Sequence, residues 1–227
     1  MSRISPPGWF IAERLNEQIA GSNNNINKNI ISVQNNLQNQ INKIVMSPTV
    51  AIGDNAGKIG QQSCSVAIGD SAGFTGQQKN SVAIGCGAGE YGQRKKSVAI
   101  GSQAGEIGQE KKSVAIGNQA GYERQQKLSV AIGNQAGYEE QQKLSVAIGD
   151  CAGQNGQGKY SIAIGYQAGI TGQPDKSIIL NASNSPLTPA DPGFFVNPVK
   201  GNTGANNSMS GFKQLYYNPT THEIVYC

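Results

Sequence analysis

Along residues 11–46 the apolar positions fall at Ile11, Leu15, Ile19, Ile26, Ile30, Val33, Leu37, Ile41 and Ile44, in steps of three and four with one gap of seven spanning Ser22. A mean step close to 3.6 is the stripe of an α-helix. Between the stripe residues the chain is mostly Asn and Gln, as in NNNINKNIISVQNNLQNQINK. Asn is a poor helix former, so a helix this polar holds only by packing its seam against other helices. The pattern predicts a coiled-coil neck over 11–47, with Ile26, Ile30, Val33, Leu37, Ile41 and Ile44 along the seam. Ile or Val at most seam positions favours three strands over two. An Asn-rich linker with fortuitous periodicity is the competing reading.

From Thr49 the pattern changes to a strict sixteen-residue phrase. It starts at Thr49, Ser65, Ser81, Ser97, Ser113, Ser129, Ser145 and Ser161, and begins a ninth time at Ser177. Eight copies fit S-V-A-I-G-x-x-A-G-x-x-x-Q-x-x-x without insertion, and 117–132 differs from 133–148 only at Arg124 against Glu140. A fixed period of this kind is the signature of a solenoid. Within S-V-A-I-G the residues alternate, Val66 and Ile68 on one strand face, Ser65 and Ala67 on the other. The A-G pair suits a tight corner. A second, polar strand is expected through the recurring Gln61, Gln77, Gln93, Gln109, Gln125, Gln141, Gln157 and Gln173, whose amides would form a ladder from coil to coil. The result is a flattened parallel β-roll over 49–180, its eight coils spaced about 4.8 Å and roughly 38 Å tall.

So narrow a coil cannot hide a Val/Ile ladder while Ala and Ser occupy the other strand face. The ladder Val66, Ile68, Val82, Ile84, Val98, Ile100, Val114, Ile116, Val130, Ile132, Val146, Ile148, Ile162 and Ile164 is therefore expected to meet the same ladder of other copies around a symmetry axis. The neck independently suggests three. Past Leu180 the rhythm breaks: NASNSPLTPADPG is turn-rich, and Phe194, Phe195, Tyr216, Tyr217 and Tyr226 suggest a small β-rich cap over 181–227 that covers the last coil's edge. NPTTHE reads as a hairpin turn between LYY and IVY.

Composition agrees with an elongated body. Hydrophobic residues are 37%, aromatics 6% and charged residues 14% of 227, with 30 glycines, too little bulk for a large compact core. The net charge of +4 is spread out and does not form the concentrated patch expected for nucleic acid. Cys64, Cys86, Cys151 and Cys227 share no metal-site or disulfide spacing, so free thiols under reducing conditions are expected. MSRISPPGWF does not read as a signal peptide, and no apolar run is long enough to span a membrane.

At S-V-A-I-G-x-x-A the chain resembles the YadA-like head repeat of trimeric autotransporter adhesins, over residues 49–180. That resemblance implies a left-handed, trimeric parallel β-roll. Two departures stand out: sixteen residues per coil where about fourteen is usual, and neither the signal peptide nor the membrane-anchoring barrel of those adhesins. The ending GFFVNPVKGNTG…LYYNPTTHEIVYC is similar to tails of fibre-like proteins in giant double-stranded DNA viruses and some phages. This second resemblance implies a trimeric virion surface or capsid-associated fibre, made in the host cytoplasm.

Catalytic chemistry has little support. His222, the one histidine, falls in the hairpin turn, and no nucleophile-and-base set or carboxylate pair stands out. Left-handed β-helical acyltransferases also form trimers, but their hexapeptide period would give eighteen residues per coil and they place a catalytic histidine in the solenoid. An ice-binding solenoid would want a regular Thr array. Neither cofactor nor metal is expected. The lysine column Lys79, Lys95, Lys111, Lys127, Lys143 and Lys159 reads either as a solvated face or as a stripe for acidic glycans or an acidic capsid surface, with Glu90, Glu106, Glu123 and Glu139 as partial neutralisers. In residues 1–10, Pro6 and Pro7 should hold SPPGWF out of the helix. Trp9 and Phe10 then become apolar anchors for a capsid partner, or part of a frayed terminus. The expectation is a non-enzymatic homotrimer on a virion. A capsid-attached protrusion or cementing component leads, and an adhesin recognising a host ligand through the cap or lysine stripe is the alternative.

Overall fold

The computed structural model describes residues 7–46, 49–199 and 215–226, with the side chains of 10–41, 49–199 and 215–225. One helix, α1 (Pro7–Met46), precedes a parallel ladder of β1 (Val50–Ile52), β2 (Val66–Ile68), β3 (Val82–Ile84), β4 (Val98–Ile100), β5 (Val114–Ile116), β6 (Val130–Ile132), β7 (Val146–Ile148), β8 (Ile162–Gly165), β9 (Ile178–Asn181) and β10 (Phe194–Asn197). A separate antiparallel pair, β11 (Leu215–Tyr217) and β12 (Ile224–Tyr226), forms the predicted hairpin. The fold is a mainly β parallel solenoid.

Every coil stacks on the next in the register of the phrase: Val66 faces Val82, Ala67 faces Ala83 and Ile68 faces Ile84, and so on along the sheet. The strand amide of each coil donates to the serine carbonyl of the next, as Val98 N does to Ser113 O at 3.0 Å. The interior is narrow. Two fully buried alanines per coil, such as Ala115 and Ala120, pack beside a buried serine and a buried glutamine, Ser113 and Gln125. This small-residue core requires close backbone approach. At Gly117, whose φ is +131°, an added β-carbon would lie 2.3 Å from the Gly133 carbonyl oxygen.

The expected second strand is not a strand. The opposite side of the coil pairs through one residue per turn, Ile59 to Thr75, Tyr91, Ile107, Glu123, Glu139, Asn155 and Thr171 in succession. These residues lie two before each glutamine, while the glutamines turn inward. There the expected amide ladder forms from Gln77 to Gln157: Gln93 Nε2 donates to Gln109 Oε1 at 3.1 Å, Gln109 to Gln125 at 3.1 Å and Gln125 to Gln141 at 3.0 Å, while Gln61 and Gln173 bond to strand carbonyls without joining it. Each Nε2 also donates to a strand carbonyl, Gln125 to Val114 O at 2.7 Å. From Gln77 to Gln141 both amide hydrogens are therefore satisfied on side chains that are fully buried.

Two boundaries differ from the sequence pattern. α1 begins at Pro7, so Trp9 and Phe10 belong to the helix rather than to a separate tail. Proline suits the first helical position because that amide has no helical acceptor. Pro6, Cys227 and the side chains of Pro7, Trp9 and Ile44 lie outside the described residues. At the other end the sheet outruns the phrase. Phe194 pairs with Ile178, sixteen residues earlier, so FFVN is a tenth strand in the same sheet. Phe195 packs against the core while Phe194 faces out.

Candidate functional site

Strand alternation decides what the roll offers to partners. From β2 to β8 the alanine of each strand is buried and the flanking residues point outward, half-buried or exposed, whereas in β1 at the end of the sheet all three residues are exposed. The structure gathers all fourteen ladder residues, Val66 through Ile164, on this one outward face. It also adds members that the repeat phrase did not single out. Val50 and Ile52 open the face, and Ile178, Leu180, Phe194 and Val196 close it, with Phe194 58% exposed. Their signal was the sixteen-residue spacing alone. A continuous apolar face of this length is far beyond the scattered exposure normal for a surface.

α1 carries a second uncovered apolar stripe. Ile26, Ile30, Val33, Leu37 and Ile41 are exposed along it, and Ile26, Ile30 and Val33 line a shallow groove with Asn29 and Gln34. Phe10 and Ile11 at its start are exposed as well. Among the described residues no helix is long and apolar enough to cross a membrane.

The six column lysines are all exposed, and none joins an ion pair among the described residues. The expected neutralisation by glutamates is therefore not made. Glu123 pairs with Arg124 at 3.0 Å, and Arg124 also reaches Glu140, one coil on, at 3.0 Å. The single letter that distinguishes the two near-identical copies thus turns a stacked like-charge pair into an attractive one, worth about 0–1 kcal/mol at this exposure. Arg124, Lys127 and Lys143 line a basic cavity of about 440 Å³ with Gly108, Glu110 and Gln126.

The serine column is structural. Ser97 Oγ, for example, donates to the Arg94 carbonyl at 2.6 Å and closes a turn. His222 Nδ1 meets Tyr217 Oη at 2.8 Å across the exposed hairpin. Cys64, Cys86 and Cys151 are free thiols, and burial raises the Cys151 pKa, with Asp150 adding to the effect.

Among the described residues Glu106 is the one buried carboxylate, a feature the repeat phrase does not mark. Burial pushes its pKa above the ordinary carboxylate range and the Glu90 charge adds to this, against hydrogen bonds from Gln103 and Tyr122. Between the ordinary value, about 4.3, and the raised one, the native state holds more protons than the unfolded chain, so stability falls as pH rises through that window. Glu106→Gln should therefore melt higher than the parent at neutral pH. The gap should close as pH drops below the ordinary glutamate value, read as melting temperature against pH.

The family model for the YadA head domain repeat matches the chain, in two copies, within residues 157–168. This segment, QGKYSIAIGYQA, runs from the buried Gln157 through β8 to the buried Ala168. No curated protein and no solved structure is significantly similar to the chain. Over these residues the chain is similar to the YadA head repeat, and the segment sits within the parallel solenoid of sixteen-residue coils.

Proposed function

We propose that the chain is a non-enzymatic structural protein that assembles as a homotrimer, its Val/Ile faces meeting around a shared axis and three copies of α1 forming the neck. The carrying observation is that the roll fills its own interior with Ala, Ser and Gln, Ile179 of β9 excepted, and leaves the Val/Ile ladder outside. Full burial of a Val or Ile side chain stabilises by about 1.5–3 kcal/mol, so completing half-buried side chains gives about 1 kcal/mol each. Over ten rows, that exceeds the roughly 4–15 kcal/mol of lost freedom on association. The heptad-like seam Ile26, Ile30, Val33, Leu37 and Ile41 supports the same stoichiometry.

Light scattering tests the assembly. The full chain should have the mass of three chains. Ile116→Asp together with Ile132→Asp should reduce it to one, because six carboxylates would otherwise be buried unpaired at the axis. A folded wild-type monomer, or a trimer untouched by both aspartates, overturns the reading.

For biological setting, the viral-fibre-like tail supports a capsid-associated protrusion or cementing component on a virion, assembled in host cytoplasm. In that arrangement the start of α1, with Pro7, Trp9 and Phe10, attaches to a capsid partner. The unpaired lysine column and the basic cavity favour a second reading, an adhesin-like module for acidic host-surface ligands. Binding of the intact protein to stripped capsids or to host cells separates the two.

A further inference from the structure

The seventh residue of each coil carries a side chain in seven of the eight copies: Asn55, Ser71, Gln103, Gln119, Gln135, Cys151 and Gln167. In the third copy it is Gly87. The outer glutamines of this column bond coil to coil, Gln135 Nε2 to Gln119 Oε1 at 3.0 Å and Gln119 Nε2 to Gln103 Oε1 at 3.1 Å. At Gly87 the column is interrupted, and the missing side chain leaves a gap in it.

Two carboxylates face that gap. A β-carbon on Gly87 would lie 3.3 Å from Glu90 Oε2 and 3.8 Å from Glu106 Oε2, with Gln103 Cγ at 3.5 Å. Glu106 is only 8% exposed, and its Oε2 is fully buried with no hydrogen-bond partner. Gln103 and Tyr122 lie beside the Glu106 carboxylate, and Tyr91 lies beside Glu90. A buried carboxylate oxygen without a partner is costly, and a second carboxylate beside it adds like-charge repulsion.

We propose that Glu90 and Glu106 hold a divalent cation of calcium type in the gap over Gly87. The donors are hard oxygens, which suit Ca²⁺ rather than the thiolate- and imidazole-seeking metals. Ca²⁺ accepts irregular oxygen shells at about 2.3–2.6 Å, whereas Mg²⁺ demands a near-ideal octahedron, so two carboxylates from successive coils suit Ca²⁺ better. Among the described residues no three His, Cys, Asp or Glu side chains gather at one point. The site therefore has two protein carboxylates, and water completes the shell through the half-exposed Glu90 side. That ligand count corresponds to a dissociation constant of about 10⁻⁴–10⁻³ M. The ion would tie the third coil to the fourth within a single chain, independently of self-association.

The test uses the full chain. Tyr91 and Tyr122 lie beside the two carboxylates, so Tb³⁺ in the site should luminesce on tyrosine excitation, and calcium should displace it. Calorimetry with calcium chloride should give one saturable site per chain. Glu106→Gln should weaken binding at least tenfold. Gly87→Gln should do the same by filling the gap. Its φ of +65° is close to the +50° to +55° that Gln103, Gln119, Gln135 and Gln167 adopt at the same place, so the fold should accept it. Unchanged circular dichroism and melting of the Gly87→Gln protein without calcium would confirm that acceptance. Absence of saturable binding up to about 10 mM calcium, well above the weak end of such sites, overturns the proposal. So does binding that both substitutions leave intact.

Discussion

Gly117→Ala should leave almost no protein with the native melting transition, although it adds a single methyl group. The methyl would sit 2.3 Å from the Gly133 carbonyl oxygen and 2.7 Å from its carbon, both backbone atoms of the neighbouring coil. That coil cannot retreat alone, because Gly133 N is itself bonded to Ile116 O at 2.8 Å and Gly149 repeats the same approach one turn on. The φ of +131° adds a conformational penalty of about 1–3 kcal/mol for any L-residue. With the coil-to-coil separation the total should exceed about 4 kcal/mol, at the top of what single substitutions cost. The control is Gly108→Ala. There φ is +70° and nothing lies within 4 Å of an added β-carbon. The equivalent position carries Arg124 and Glu140 in later coils, at φ +56° and +54°. Its cost should be only about 1–2 kcal/mol. Thermal melting of the two variants side by side checks the contrast, and similar losses would mean that steric approach between coils is not what demands glycine at 117.

Gln125→Leu should be the next most damaging change, with a loss of about 3 kcal/mol from unpaired groups costing about 1–3 kcal/mol each. Gln125 is fully buried and makes three hydrogen bonds, to Val114 O, Gln141 Oε1 and Gln109 Nε2. Leucine nearly matches it in volume and removes all three. Val114 O loses its side-chain donor, Gln141 Oε1 is orphaned, and Gln109 Nε2 keeps only its bond to Val98 O. For a chain of this size such a loss corresponds to a fall in melting temperature of roughly 6–12 °C. The neighbouring Gln126 bonds to Gln142 at 2.9 Å on the half-buried surface. There water can replace the partner, and Gln126→Leu should stay within about 0.5 kcal/mol. Equal effects at 125 and 126 would contradict an amide ladder buried from solvent.

Much of this was legible from period alone. Sixteen-residue identity predicted the parallel register, and the Ala-against-Val/Ile alternation predicted which face would be buried. The second side of the coil was not legible, because a bridge of one residue per turn accepts Ile59, Thr75, Glu123 and Asn155 alike and leaves no hydrophobic pattern. The left-handed residue closing each coil was equally hidden. Asn80, Lys96, Leu128 and Tyr160 all take φ near +60° there, imposed by stacking rather than by residue type. The helix start at Pro7 was not legible, because a proline both breaks a helix and suits its first position. The gap at Gly87 needed the folded chain, since only stacking brings Glu90 and Glu106 to it.

Asn181–Gly193 shares none of the phrase after its strand, neither the A-G corner nor the glutamine, yet it returns the chain to β10 with the register unbroken. What the roll conserves along its length is therefore a count rather than a vocabulary. Its height is quantised. Adding or deleting whole coils re-creates every backbone partner and moves the end by about 4.8 Å per coil. One extra residue would turn each following alanine outward and each isoleucine in. A shaft built this way can be tuned in length by duplication of a sixteen-residue unit, as the twin copies 117–132 and 133–148 illustrate, without any new solution to the packing of its interior.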